Sequence, residues 1–194
     1  MTSSIRLLPA LSACIFASTV AHAQSAGAHV HGEAELAIVA QDGEISISLM
    51  SAMYNVVGFE RAPKTNAERE AVNSARMALE NGSDLFVFAQ SAACKLISAQ
   101  HGIPEPEAES EDHAHSSEQD HHDHEPDEHH HSHSDLEASF AFACGAPENL
   151  KSVEIHLFDH FKNLEKVNVI ALSGDQQEAT TLSPERRRVR LPVS

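Results

Sequence analysis

Nine histidines fall within one short acidic stretch: His113, His115, His121, His122, His124, His129, His130, His131 and His133, interleaved with Asp112, Asp120, Asp123, Asp127 and Glu128. Neutral imidazole is a borderline ligand that suits zinc, copper, nickel and cobalt. Carboxylates add charge neutralisation and can complete a tetrahedral zinc shell. The short spacings let a flexible backbone bring several donors to one ion, and they permit many alternative ligand sets. The stretch therefore reads as several labile, interchangeable sites for Zn2+ rather than one fixed cage, with other divalent transition metals fitting the same donors. No thiolate lies within it, which argues against Cu(I) or an iron–sulfur cluster. The competing readings are a solvated polar linker and a purification tag. A tag is usually terminal and pure histidine, whereas this stretch is internal and mixed.

A second cluster is His29-Val30-His31-Gly32-Glu33. Period-two geometry puts His29, His31, Glu33 and Glu35 on one face of the strand, opposite Val30, Leu36 and Ile38. Two imidazoles and a carboxylate so placed would hold a metal with exchangeable positions open. An ordinary solvent-facing strand surface explains the pattern equally well. His156 and His160 are neighbours only if residues 157–161 are helical. Structural or incidental roles are the preferred reading for that pair. Arrangements that mark catalysis are absent: no His-Glu-x-x-His helix, no Gly-x-Ser-x-Gly elbow and no glycine-rich phosphate loop.

These donors need elements to position them. Val30, Ala34, Leu36 and Ile38 sit at even positions, the pattern of a half-buried strand. Asp42-Gly43 is a hairpin turn signal. Ile45, Ile47 and Leu49 alternate with polar residues in the partner strand. Residues 54–63 read as a loop. Thr65 and Glu68 have capping-box spacing and open a helix carrying Ala71, Val72, Ala75, Ala78 and Leu79, which Asn81-Gly82 closes. Strand-like runs follow at 85–89 and 92–97. The second of these could pair with the run that contains Leu136, Ala138, Phe140 and Phe142. Val153, Ile155 and Leu157 alternate again. Further runs cover 165–172, with Gly174-Asp175 as a turn, then 178–182, and an edge strand at 188–191. Between the halves, residues 101–135 have no large apolar side chain from Pro104 to Asp135. Such a segment cannot bury enough surface to offset its ordering entropy. The expected class is α+β: a mostly antiparallel sheet with one principal helix, plus a disordered His/Asp/Glu-rich insert, in a single domain over 24–194.

Residues 1–23 read as a secretory signal peptide. Arg6 precedes an apolar run over 7–20, and Ala21-His22-Ala23 has the small-x-small pattern of a cleavage site. The apolar run is shorter than the roughly 20 residues of a membrane span, so no membrane insertion is expected after cleavage. Export removes Cys14 and leaves Cys94 and Cys144 in an oxidising compartment. One disulfide is the expectation there, with two thiolate metal ligands as the alternative. The formal charge of −16 becomes −17 when Arg6 leaves, and no Lys or Arg occurs between Lys95 and Lys151. That balance argues against nucleic acid or an anionic membrane as partner and suits a cation.

The segments His29-Val30-His31-Gly32-Glu33-Ala34-Glu35-Leu36, Gly58-Phe59-Glu60-Arg61-Ala62-Pro63, Leu85-Phe86 and Ala93-Cys94, the histidine-rich insert, and Cys144 followed by Leu157-Phe158 resemble the ZrgA-like family of periplasmic zinc-binding proteins. The resemblance covers nearly the whole mature chain. It implies a periplasmic protein linked to zinc acquisition when zinc is scarce, with zinc ions as ligand and a zinc-uptake transporter component as candidate partner. It implies no enzymatic activity. One position departs from the family pattern: a His is expected after Gly-Phe-Glu, and Arg61 stands there.

The leading expectation is a non-enzymatic protein that captures, buffers or hands on zinc through its acidic histidine-rich loop. The rivals are a metal-dependent enzyme using His29 and His31, and an interaction module that senses pH through histidine protonation.

Overall fold

The computed structural model describes residues 30–104 and 135–192. The leader segment, His29 and the nine insert histidines lie outside the described residues. So does most of the segment expected to be disordered.

Strands β1 (Glu33–Gln41) and β2 (Glu44–Ala52) form the expected hairpin. Asp42 and Gly43 between them both take positive φ, at 52° and 83°. That conformation is what a two-residue turn needs to match strand twist. Thr65 caps helix α2 (Asn66–Glu80): its side chain accepts from the Glu68 N–H, and Glu68 reaches back to the Thr65 N–H. The 54–63 loop contains a helix the sequence did not announce, α1 (Met53–Val57), ended by Gly58 at φ 91°. At the far end of α2 the glycine has a different role from the expected one. Gly82 does not adopt a left-handed cap; it opens the short helix α3 (Gly82–Leu85). A Cβ there would lie 2.7 Å from Cδ1 of Phe140, so close packing is what demands glycine.

Strand β3 (Phe86–Phe88), β4 (Cys94–His101), β5 (Asp135–Cys144), β6 (Ser152–Ile155), helix α4 (Leu157–His160), β7 (Lys166–Ser173), β8 (Gln176–Leu182) and β9 (Arg188–Arg190) complete the chain. The strands form a six-stranded sheet, ordered β4-β5-β2-β1-β7-β8, and a three-stranded sheet, ordered β3-β6-β9. Pairing is antiparallel except between β1 and β7. The fold is therefore α+β with one long helix. β9 is an edge strand, as expected for 188–191. The alternation through Val153 and Ile155 stops one step early, because Leu157 begins α4 rather than extending β6.

One face of the large sheet is the core. Leu36, Ile38, Ile45, Ile47, Leu49, Leu136, Phe140, Phe142, Val167 and Val169 are all buried there. Leu79 of α2, Leu85, Phe86, Val153, Ile155, Leu157 and Phe161 close over it. Phe86 meets Phe140 edge-on at 4.8 Å between ring centroids. The opposite face stays open and carries small or polar residues such as Ser46, Ser48 and Ser139, with Val39 and Ile170 exposed among them.

The segment read as an insert begins later than expected. β4 pairs with β5 and carries a bulge between Leu96 and Ser98. Ile97 is the extra residue and is 66% exposed. The bulge shifts the phase, so that Ala99 and His101 lie opposite buried Phe140 and Ala138. His101 is thus part of a strand, and Ile103 beyond it is buried. Asp135, at the other boundary, pairs with Ala52.

Cys94 and Cys144 are direct cross-strand partners in β4 and β5 and form a disulfide, with Cα atoms 3.8 Å apart. The bridge encloses the insert in sequence but sits at the far end of the ladder from where the insert leaves. Seven residues of β4 separate the two, roughly 23 Å at strand rise.

Candidate metal centre

The N-terminal cluster does not form the expected strand face. Glu33 N–H donates to Val30 O at 3.1 Å, closing a turn with Gly32 at φ 83°. A positive φ at the third turn position suits glycine and breaks the period-two alternation. His31 consequently leaves the face that carries Glu33 and Glu35. Glu33 turns to Lys166, whose Nζ donates to Oε1 at 2.5 Å, and Asn168 donates to Oε2 at 3.4 Å. The hydrogen bond from the Lys166 ammonium holds the Glu33 carboxyl below its ordinary value. Glu33 is therefore engaged by a cation and does not join His31.

A different carboxylate does. His31 Nε2 lies 2.8 Å from Oε1 of Glu60. Its ring stacks on Tyr54, with centroids 4.0 Å apart and planes 18° from parallel. The turn that presents His31 is held by Asn55, which is 1% exposed. Asn55 Oδ1 accepts from Gly32 N–H at 2.6 Å, and Nδ2 donates to Val30 O, Glu33 O and Ser51 Oγ. One buried amide thereby satisfies four groups of a turn and a strand end, which fixes that turn far better than sequence-local forces would. Tyr54 and Asn55 both lie on α1. Gly58 then reverses the chain and returns Glu60 toward His31.

Arg61, at the position where the family pattern suggests His, points its chemistry elsewhere. Nη2 donates to Glu68 Oε1 at 2.6 Å, and Nη1 donates to Glu68 Oε2 and to Ala62 O. The guanidinium also lies 5.3 Å from the Phe59 ring centroid. These bonds, led by Arg61, bring Glu68 down to about 2. Arg61 buttresses the start of α2.

The remaining described histidines stand apart. His156 faces two carboxylates, Asp159 at 3.2 Å and Glu154 at 3.6 Å. Both are already paired, Asp159 with Arg187 at 2.6 Å and Glu154 with Arg188 at 3.3 Å. The Arg187 hydrogen bond holds Asp159 below its usual value. Two guanidiniums in the shell make this an ion-pair network, not a cation site. Residues 157–160 are helical, as a His156–His160 pairing would need, but His160 borders a groove with Val56, Ala71 and Asn163. His101 approaches Glu80 at 3.8 Å, and its Nδ1 is buried without a hydrogen-bond partner. Arg76 holds the same Glu80 oxygen at 2.6 Å.

Among the described residues no group of three or more His, Cys, Asp or Glu side chains is arranged to hold a metal ion. No helix among them is long and apolar enough to cross a membrane. An open hollow of about 540 Å³ on the outer sheet face is lined by Glu35, Ser48, Met50, Asn168, Ile170 and Thr181 among others, with no imidazole or thiolate.

The two segments that converge at His31 and Glu60 were, with the cysteines, the ones that carried the family resemblance. The chain is an α+β protein with a histidine–carboxylate pair at one end of its sheet and a disulfide at the other. The family model described as ZrgA family zinc uptake protein matches residues 28–191, and the chain belongs to that family. No curated protein matches it.

Sequence reasoning missed Tyr54, Asn55 and the pairing of Glu60 with His31. Glu60 was visible as part of the Gly-Phe-Glu motif. Nothing in sequence marked Asn55, because three of its four partners are backbone groups more than twenty residues away.

Proposed function

We propose that this chain is an exported, non-enzymatic periplasmic protein that captures and buffers zinc through its histidine-rich loop and hands the ion to a component of a zinc-uptake transporter. The observation that carries this reading is membership of a zinc uptake family by a chain that places nine histidines and no Lys or Arg between residues 113 and 133. His113, His115, His121, His122, His124, His129, His130, His131 and His133 are the reservoir ligands. His29 and His31 form a second site at the start of the sheet.

The topology supports a division of labour. The loop joins two neighbouring antiparallel strands whose far ends are bridged, so its collapse around metal need not pull on the core. The turn bearing His31 precedes β1, two strand spacings from Asp135 across β2, or roughly 10 Å. An ion leaving the loop therefore has a fixed imidazole nearby.

The test is calorimetry on the full chain with the nine loop histidines replaced by Asn. Native protein is expected to bind more than one zinc equivalent, and the variant to lose most of that stoichiometry. Unchanged stoichiometry would remove the loop from the reading. Ligating imidazole must be neutral, so native loop binding should also weaken steeply as pH falls through about 6.5.

A further inference from the structure

We infer that the open face of the six-stranded sheet is the contact surface of a homodimer: a second copy of this chain packs on it, sheet against sheet, about a two-fold axis parallel to the strands.

The strand registers lay that face out as rows running across the sheet. One middle row passes from Ser98 on β4 through Ala141, Ser46, Val39 and Leu172 to Gln177 on β8. The next passes from Gln100 through Ser139, Ser48, Ala37 and Ile170 to Ala179. Neither row holds a charged side chain, in a chain of which 22% is charged. Every position in them is exposed or half-buried among the described residues. Val39 and Ile170, on neighbouring strands, are 40% and 46% exposed. A sheet face that only meets water carries polar residues. An uncharged band with branched apolar side chains in it, rimmed by charge, is the pattern of a face that is covered.

The face is uneven in a way that fits a copy of itself. In the two rows β5 and β2 contribute only Ala and Ser, whereas β1 and β7 contribute Val39, Ile170 and Leu172. A two-fold axis along the strands reverses strand order, so β5 lies over β7 of the second copy and β2 over β1. Ala141 then meets Leu172, Ser139 meets Ile170 and Ser46 meets Val39, small against large, each contact made twice. The rim follows the same operation. Glu137 falls opposite Asn168, Glu35 opposite Met50 and Glu44 opposite Gln41. None of these carboxylates faces another, which a chain of net charge −16 requires in order to pair with itself. Six strands about 4.8 Å apart, with the two middle rows and one on each side about 6.8 Å apart, make a face of roughly 780 Å². An interface of standard size takes about 800 Å² from each partner. Because the axis runs along the strands, His101 and Asp135, where the histidine-rich insert leaves each chain, come to the same end of the dimer.

The test is sedimentation equilibrium on the full mature chain, freed of metal with EDTA, over a range of protein concentrations. A reversible dimer is expected. Ile170→Glu should weaken association at least about 10-fold, because a lone carboxylate would be desolvated against Ser139. Ser139→Lys should do the same. The double variant, whose new charges meet across the two-fold, should recover most of the loss. Met77→Lys, at a more exposed apolar residue on α2, which packs on the other side of the sheet, should leave the dimer intact. Circular dichroism and melting at the lowest concentration check that each variant folds; Ile170 and Ser139 are exposed, so neither change enters the core. A monomer at every concentration overturns the inference. A dimer that survives Ile170→Glu, or that Met77→Lys disrupts, puts the contact elsewhere and overturns it too. Loss in both single variants without recovery in the double overturns the two-fold pairing.

Discussion

The two ends of the large sheet are built on different principles. At one end Cys94 and Cys144 lock β4 to β5 covalently, among small residues and turns. At the other end the His31 turn and Glu60 are held by hydrogen bonds, stacking and one buried amide. A covalent staple restrains the chain without offering a ligand. A polar network restrains it and leaves an imidazole half exposed. The difference suggests that stability and metal chemistry can be perturbed separately in this fold, and three changes test that.

The largest effect is expected at the covalent end. The bridge spans 50 residues of sequence. Closing a loop of that size stabilises by about 4 kcal/mol in the chain-entropy picture. Replacing both cysteines with Ser should clearly lower the melting temperature of the metal-free protein, while zinc stoichiometry by calorimetry stays the same. Stoichiometry that falls together with the cysteines would collapse the distinction between the ends and return the thiols to the list of ligands.

Asn55→Ala comes next and acts on the other end. It strips partners from Gly32 N–H, Val30 O, Glu33 O and Ser51 Oγ. Leaving buried backbone groups unpaired should cost about 1–3 kcal/mol in denaturant unfolding. Unlike the cysteine change, it should also broaden or shift the His31 ring resonances, because the turn is released. A loss of stability with His31 unmoved would show that the amide serves packing alone.

The smallest effect concerns acid. Glu68 is lowered from 4.5 to about 2, chiefly by Arg61. A depressed carboxyl contributes stability that is fully present above its unfolded value and is lost as pH falls through its folded value. The start of α2 should therefore loosen between about pH 4.5 and 2. Amide exchange at residues 66–69 should follow this window in the native chain and flatten in Glu68→Gln. The contact is solvent-exposed, so global unfolding should barely register it.

Much of the scaffold was legible because its signals are local. The alternation of Leu36 and Ile38 with polar neighbours, the Asp42-Gly43 turn, the Thr65–Glu68 capping box and the paired runs on either side of the insert each encode their own element. The failures share one cause. Extending the strand back through His31 ignored Gly32, whose positive φ ends the alternation. Reading His101 as insert missed the bulge at Ile97, which cannot be seen without the β5 partner. Taking Gly82 for a cap missed Phe140, which lies 58 positions away.

By itself, then, the sequence determined the classes of donor available, the charge that favours cations, most of the strands and the long helix, because composition and short-range periodicity act within a few residues. Which carboxylate meets His31 was decided in three dimensions. Glu33 is two residues away but sits across from Lys166 once β1 and β7 pair in parallel. Glu60 is 29 residues away and arrives only because α1 ends at Gly58 and doubles the chain back. Hydrogen bonds reach about 3 Å, and chain reversal, not sequence distance, sets which groups come that close.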